Sequence, residues 1–504
     1  MPNKNNIIVI GAGISGLTAA AYLAKKGYNV TVLEKIHQPG GFVHSFKRKE
    51  YRFEASTHQI CGMHPRYLIP LLESIDVDKN LFVRSKTLFE CIKFDDEKNV
   101  MEDRFLIPSG FDAIKKTLHT LFPEEQKSID SYFEKLNGLG EEVCVLKSVT
   151  RNPLKYIIHT IPALLLKNGK GIIRQIGKKH FKNIVLLKNI SNKEATEYIK
   201  NENLKWILNT YLPYIACTSS EVSAAAFMAM NFMYFKSGPY LIKEGTTNLI
   251  KNIIQTIEKN GGTIKYNQAV KKVSIENNKA YSVETSSGNI YKCDGILAAM
   301  NPNDLFLKFI EKDKLPQKYI DSIEKIEYSL SVFQVYLALK IDIKDYGFNS
   351  CTTFVEPSKD SDENFKRIYS NVEQDRNKTS FIITNYSNYD TTAAPKGHSV
   401  VCIAELMTMS DWETLSKEEY NRKKQEIEKI IIDKTEKITG IPIKENIVLK
   451  FSATPSTMKK YSSIPEGAMA GAKINFNQSF EKRTPLETPI GNIFLAGATV
   501  ANPE

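Results

Sequence analysis

Three glycines and one acid carry the first chemical signal. Gly11, Gly13 and Gly16 are spaced G-x-G-x-x-G, and Glu34 follows eighteen residues after the last of them. Bare backbone at Gly13 lets a pyrophosphate approach, Gly11 permits a tight turn, and Gly16 lets a helix lie close against a strand. With Ala12, Ile14 and Ser15 between them, the three form a candidate phosphate cradle. A helix starting there offers free N–H groups and a partial positive charge to the phosphates. Glu34 is placed to accept hydrogen bonds from a ribose 2′-OH. This chemistry requires particular elements around it, and the chain has the pattern for each. The apolar run 7–10 predicts a strand, the Ala-rich run after Gly13 a helix, and residues 30–33 a second strand ending on Glu34. The unit therefore reads as a dinucleotide-binding βαβ; the bland reading is a glycine-rich turn in an α/β core.

After Lys35 the chain makes a His37-Gln38-Pro39-Gly40-Gly41 turn, where a nicotinamide dehydrogenase would enter another βαβ unit. Gly40 and Gly41 suit a second backbone approach to the same cofactor, which favours FAD. The run LEK…PGG…HSF…YRFE…STHQICG resembles the phytoene desaturase, carotenoid isomerase and retinol saturase group of FAD-dependent enzymes. The resemblance recurs in order at 238–249 (GPYLIKEGTTNL), 260–302, 452–471 and 490–498 (IGNIFLAGA). It implies an α/β fold: an FAD-binding Rossmann-like domain of the glutathione reductase type with an inserted α+β substrate domain. It also implies that Lys35 lies by the cofactor, that the backbone near Val270 meets the adenine, and that the Ala496-Gly497 turn adjoins the flavin. His44 and His58 stand where retinol saturase-like proteins carry histidines, against the flavin; a half-buried loop histidine is the other reading of each. In two places the chain departs from the family. Glu244 occupies a position where glycine is usual, and the sequence stops at Glu504, ahead of the family's Gly-rich turn and long helix. The expectation is that the chain is cut short there.

In this reading the flavin does the chemistry and the protein aims it. Hydride exchange at flavin N5 with an apolar isoprenoid or polyene lipid would saturate or desaturate a C–C bond. His58, Glu54 and His44 are the candidates to move the partner proton. There is no second G-x-G-x-x-G, so NAD(P)H would bind transiently or another electron donor or acceptor would serve. The alternatives are a carotenoid-type cis–trans isomerase using reduced FAD, an amine-oxidase relative needing an aromatic cage, and a flavin-free lipid carrier of the same architecture.

Bulk properties narrow the classes. A 504-residue chain with 42% hydrophobic and 25% charged residues is an ordinary globular protein of about two or three domains. The nucleotide domain is expected from 1–75, 236–302 and 450–504, and the substrate or cap domain from 76–235 and 303–449. Seven scattered cysteines, odd in number and without C-x-x-C spacing, point to a reducing compartment and to no zinc site. The start leaves no room for a cleaved signal, and no apolar run approaches the roughly 20 residues a spanning helix needs. The expected location is therefore cytoplasmic. The net charge of +11 is localised: residues 143–193 hold eleven Lys or Arg and no Asp or Glu. Greasy turns such as 161–166 (IPALLL) alternate with these cations, which suits peripheral contact with a membrane surface. A solvated basic face is the alternative, and sparse aromatics argue against nucleic acid. Helices are expected over 111–147, divided at Phe122-Pro123, over 195–235 and over 416–437; strands over 331–339 and 381–385; and a mobile charged loop over 356–378.

Overall fold

A computed structural model describes residues 5–151, 181–370 and 373–500. The first unit is a five-stranded parallel sheet. Its strand order is Ile493–Leu495, Gly295–Ala298, Asn6–Ile10, Asn29–Leu33 and Thr263–Lys265. Central parallel strands are covered on both faces, which is why 7–10 and 30–33 read as near-continuous apolar runs. Val9, Val30 and Val32 face helices Ile14–Lys25 and Thr246–Lys259, meeting Ala20, Ala21, Ile250 and Ile253. Ile8, Ile10 and Leu33 face the other way, onto the ribbon of Val270–Glu276, Lys279–Thr285 and Ile290–Lys292.

The second unit is built on a seven-stranded sheet ordered Ile447–Ala453, Ser331–Leu339, Ser399–Met407, Phe381–Asn385, Thr352–Glu356, Thr87–Asp95 and Val100–Pro108. All pairings are antiparallel except that of Thr352–Glu356 with Thr87–Asp95. Phe333, Val335 and Leu337 point to one face, against Ile427, Ile431 and Ile438 of helix Lys417–Thr439. The opposite face looks toward the nucleotide unit and a helical layer that includes Phe111–Leu121, Gln126–Arg151, Glu202–Asn209 and Ala224–Phe232. The expected boundary at 450 falls inside strand Ile447–Ala453, which belongs to this second sheet.

The stretch 356–378 corrects the expectation of a mobile loop. Asp360 caps helix Ser361–Tyr369 by accepting from the Asp362 N–H, and Phe365 is buried beneath it. Residues 152–180, most of the basic and apolar segment, lie outside the described residues. Among the described residues no helix is long and apolar enough to cross a membrane.

Candidate flavin cradle and adjoining cavity

The cradle follows from close packing of strand, turn and helix. Gly11 has φ +99°, and a Cβ there would lie 2.5 Å from the Ala299 carbonyl oxygen. A Cβ on Gly16 would lie 2.1 Å from the Gly11 oxygen. Gly13 is different: it begins helix Ile14–Lys25, and the space where its Cβ would stand is open. No side chain caps this helix start, so the first N–H groups at Ile14, Ser15 and Gly16 face outward for an anion. Gly40 bridges to Gly13, and its N–H donates to the Ala12 carbonyl at 2.7 Å. Gly40 and Gly41 have φ of +112° and +61°, so the turn depends on glycine at both. Gly497, with φ +116°, also borders open space.

Glu34 is buried and accepts the Ala12 N–H at 2.7 Å and the Ile36 N–H at 3.1 Å. A carboxylate has about four acceptor sites, so capacity for a ribose hydroxyl remains. Lys35 donates to the Lys460 carbonyl at 3.2 Å and to Ser463; burial lowers the pKa of its ammonium group. Val270 opens its strand with the side chain in the ribbon core beside Ile8 and Leu33. Glu244 has φ +61°, which explains in backbone terms why glycine suits that position. The open cradle, the paired glycines and the acid fit a dinucleotide. Arg483 adds a support with no sequence signal: it donates to the carbonyls of Ala472, Ala498 and Val500, holding the segment next to Gly497.

A cavity of about 330 Å³ begins where the second glycine pair ends. Phe42, next after Gly41, and Met469 mark the end nearest the cradle. One wall is the inner face of the large sheet, where alternate residues point the same way: Val332 and Gln334, Ala404 and Leu406, Ile382, and Phe354 and Glu356. Gln334, Ala404, Ile382 and Phe354 are directly opposed in successive strands. The wall thus extends over three strand spacings, about 14 Å. Tyr214, Met230 and Tyr234 from the helical layer, and Asn364, Phe365 and Ile368 from Ser361–Tyr369, close the other sides.

Of the three proton-carrier candidates only His58 lines this cavity. Its ring lies edge-on to Tyr214 at 5.7 Å, and its Nε2 is buried without a partner among the described residues. Burial pulls its pKa down from 6.5 to about 4, so the imidazole is neutral. Glu54 is outside this cavity but lines a smaller pocket together with His58, and it accepts the Thr246 N–H at 3.2 and 3.3 Å and the Thr246 hydroxyl at the start of helix Thr246–Lys259. His44 lies at the glycine turn, its Nδ1 2.6 Å from the Gly41 carbonyl. The structure therefore does not bring the three together. It instead adds Gln334 and Glu356 to the cavity lining, neither of which carries a sequence motif. Glu356 Oε2 accepts from Trp206 Nε1 at 2.6 Å and Oε1 from Asn364 Nδ2 at 3.2 Å. Burial pushes its carboxyl up to about 7, against the opposing pull of those two hydrogen bonds. Among the described residues no group of His, Cys, Asp and Glu is placed to hold a metal, and all seven cysteines are free.

A glycine cradle that fits a dinucleotide, beside a cavity walled by a second sheet, is the arrangement of a flavin-dependent fold. A model of the flavin containing amine oxidoreductases matches residues 14–503, and the chain belongs to that family. It is similar to the 1-hydroxycarotenoid 3,4-desaturase of Flavobacterium sp. (strain P99-3), at 24% identity over 98% of this chain and 94% of that protein. It is also 24% identical to the all-trans-retinol 13,14-reductase of Danio rerio, over 99% of this chain and 83% of that one. Among solved structures, putrescine oxidase shares the fold with a TM-score of 0.60 at 13% identity, over 98% of this chain and 93% of that one.

Proposed function

We propose that this enzyme transfers hydride between FAD and a C–C bond of an apolar isoprenoid or polyene lipid. The observation that carries the reading is the cavity itself: its walls are dominated by Phe, Tyr, Met, Ile, Leu and Val side chains. The carotenoid and retinol relatives add support from sequence. Bound FAD supplies the hydride-accepting or hydride-donating centre. The chain's own residues hold and shield the substrate. Phe42, Phe354 and Met469 exclude water from it, and the neutral His58 has a free ring nitrogen to take up or return the partner proton. The other cofactor contacts in this reading are Gly11 to Gly16, Glu34, Lys35, Gly40, Gly41, Val270 and Gly497.

A peripheral membrane contact through 143–193 belongs to the same proposal, since the substrate is greasy. Val185 and Leu186, exposed at 43% and 55% on helix Lys182–Leu187, support it. The decisive experiment is to purify the chain, record its flavin spectrum, and incubate it anaerobically with a polyene, with oxidised or with reduced flavin. Mass analysis then reads the direction: two hydrogens gained, two lost, or an unchanged mass for an isomerase. A flavin-loaded protein that alters no polyene under either condition, yet oxidises an amine, would end this reading.

A further inference from the structure

The end of the cavity remote from the cradle is not apolar. Glu356 closes strand Thr352–Glu356 and is 4% exposed. Its two contacts, from Trp206 and Asn364, leave about half of its acceptor positions unused. Among the described residues no cation pairs with it. Ser380, which also lines the cavity, has a buried Oγ with no hydrogen-bond partner. The two are neighbours by register. Val355 pairs with Phe381 in the antiparallel ladder, so one further step sets Ser380 opposite Glu356, about 5 Å away across the strands. Around them stand Phe354, Phe365, Ile382 and Leu406.

Unused polar atoms in an apolar pocket are costly unless a ligand completes them. A pure hydrocarbon leaves both groups unsatisfied. A ligand hydroxyl satisfies both, donating its hydrogen to the Glu356 carboxyl and accepting the Ser380 hydroxyl proton. We propose that Glu356 and Ser380 form a hydroxyl-binding subsite, and that the substrate is an isoprenoid alcohol lying with its hydroxyl end away from the flavin. This rests on the polyene-lipid reading above and sharpens it. A carboxyl near neutrality, as burial makes Glu356, can either accept from or donate to an alcohol.

Trp206 supplies a reporter that needs no turnover, because its indole N–H donates to Glu356. In the FAD-loaded full chain carrying Trp412→Phe, Trp206 is the remaining tryptophan. Its fluorescence is followed while geranylgeraniol, the matching hydrocarbon without the hydroxyl, and geranylgeranylamine are titrated in turn. The alcohol is expected to bind about tenfold to a hundredfold more tightly than the hydrocarbon. Ser380→Ala is the cleanest variant, since Ser380 Oγ has no partner to lose among the described residues. Ser380→Ala and Glu356→Gln should each narrow the gap by weakening the alcohol, with no loss of hydrocarbon affinity. Equal affinity for alcohol and hydrocarbon in the parent overturns the subsite and leaves the polyene reading standing. So does a Ser380→Ala variant that weakens both ligands alike. Tighter binding of the amine than of the alcohol overturns the subsite as a hydroxyl site. If neither isoprenoid binds the flavin-loaded protein, the polyene reading fails and the subsite falls with it.

Discussion

Gly13 and Gly16 belong to one motif but meet different physical demands. Gly16 is pressed against the Gly11 carbonyl, so a methyl group at that position collides with backbone that cannot move aside. Gly13 borders open space and has an ordinary φ of −70°. Gly16→Ala is therefore expected to destabilise the flavin-free protein by about 1–3 kcal/mol or more. Gly13→Ala should leave that stability within about 0.5 kcal/mol and weaken FAD binding instead, because the new methyl stands where the phosphates pass. Denaturant unfolding of the apoprotein, paired with a flavin fluorescence titration, separates the two. Equal loss of stability in both variants would refute this division of roles. At the same scale, His58 is neutral through burial alone, with no charged neighbour holding it there. Its protonation state therefore depends on the cavity staying dry.

Helix Thr246–Lys259 begins at Gly245, a residue with no side chain to cap it. Glu54, from the end of strand Tyr51–Glu54, supplies the missing acceptor and sets a carboxyl group at the positive end of the helix dipole, which opposes the upward push of burial on its pKa. Glu54→Gln should therefore cost about 1–2 kcal/mol of stability while flavin reduction by substrate proceeds at nearly the parent rate. A variant of parental stability that loses about a hundredfold in rate would return Glu54 to proton transfer. The elements also explain what could be read in advance. The βαβ cradle was legible because all its determinants fall within one short local run. Strands Ser331–Leu339 and Phe381–Asn385 were legible from their unbroken apolar and β-branched residues. Helix Ser361–Tyr369 was hidden by its charge, although Asp360 and Glu363 stand at capping-box spacing ahead of Phe365 and Ile368. Glu356 had no signal of any kind. Its meaning comes from Trp206, 150 residues earlier, and from a cross-strand neighbour.

The whole molecule is interleaved. The chain builds part of the parallel sheet, leaves to start the large sheet, returns for Thr263–Lys265 and Gly295–Ala298, leaves again to finish the large sheet, and comes back for its last strand. The proposed FAD contacts span Gly11 to Gly497 and so tie together distant parts of the sequence. Saturating FAD at about 100 times its Kd is expected to add about 2.7 kcal/mol, seen as a thermal midpoint that rises with the logarithm of FAD concentration. No shift at all would favour a flavin-free carrier of this architecture over an enzyme. The strand order has a further consequence, in time. Ile493–Leu495 is an edge strand of the same sheet that contains Asn6–Ile10, so every residue up to Leu495 must leave the ribosome before that sheet can close. At about 5–20 residues per second, the first strand waits roughly half a minute to a minute and a half for the last. From its own synthesis until then the Gly295–Ala298 edge is unpaired and hydrophobic, so the nascent chain is expected to depend on chaperones and to acquire its flavin only once Leu495 has emerged.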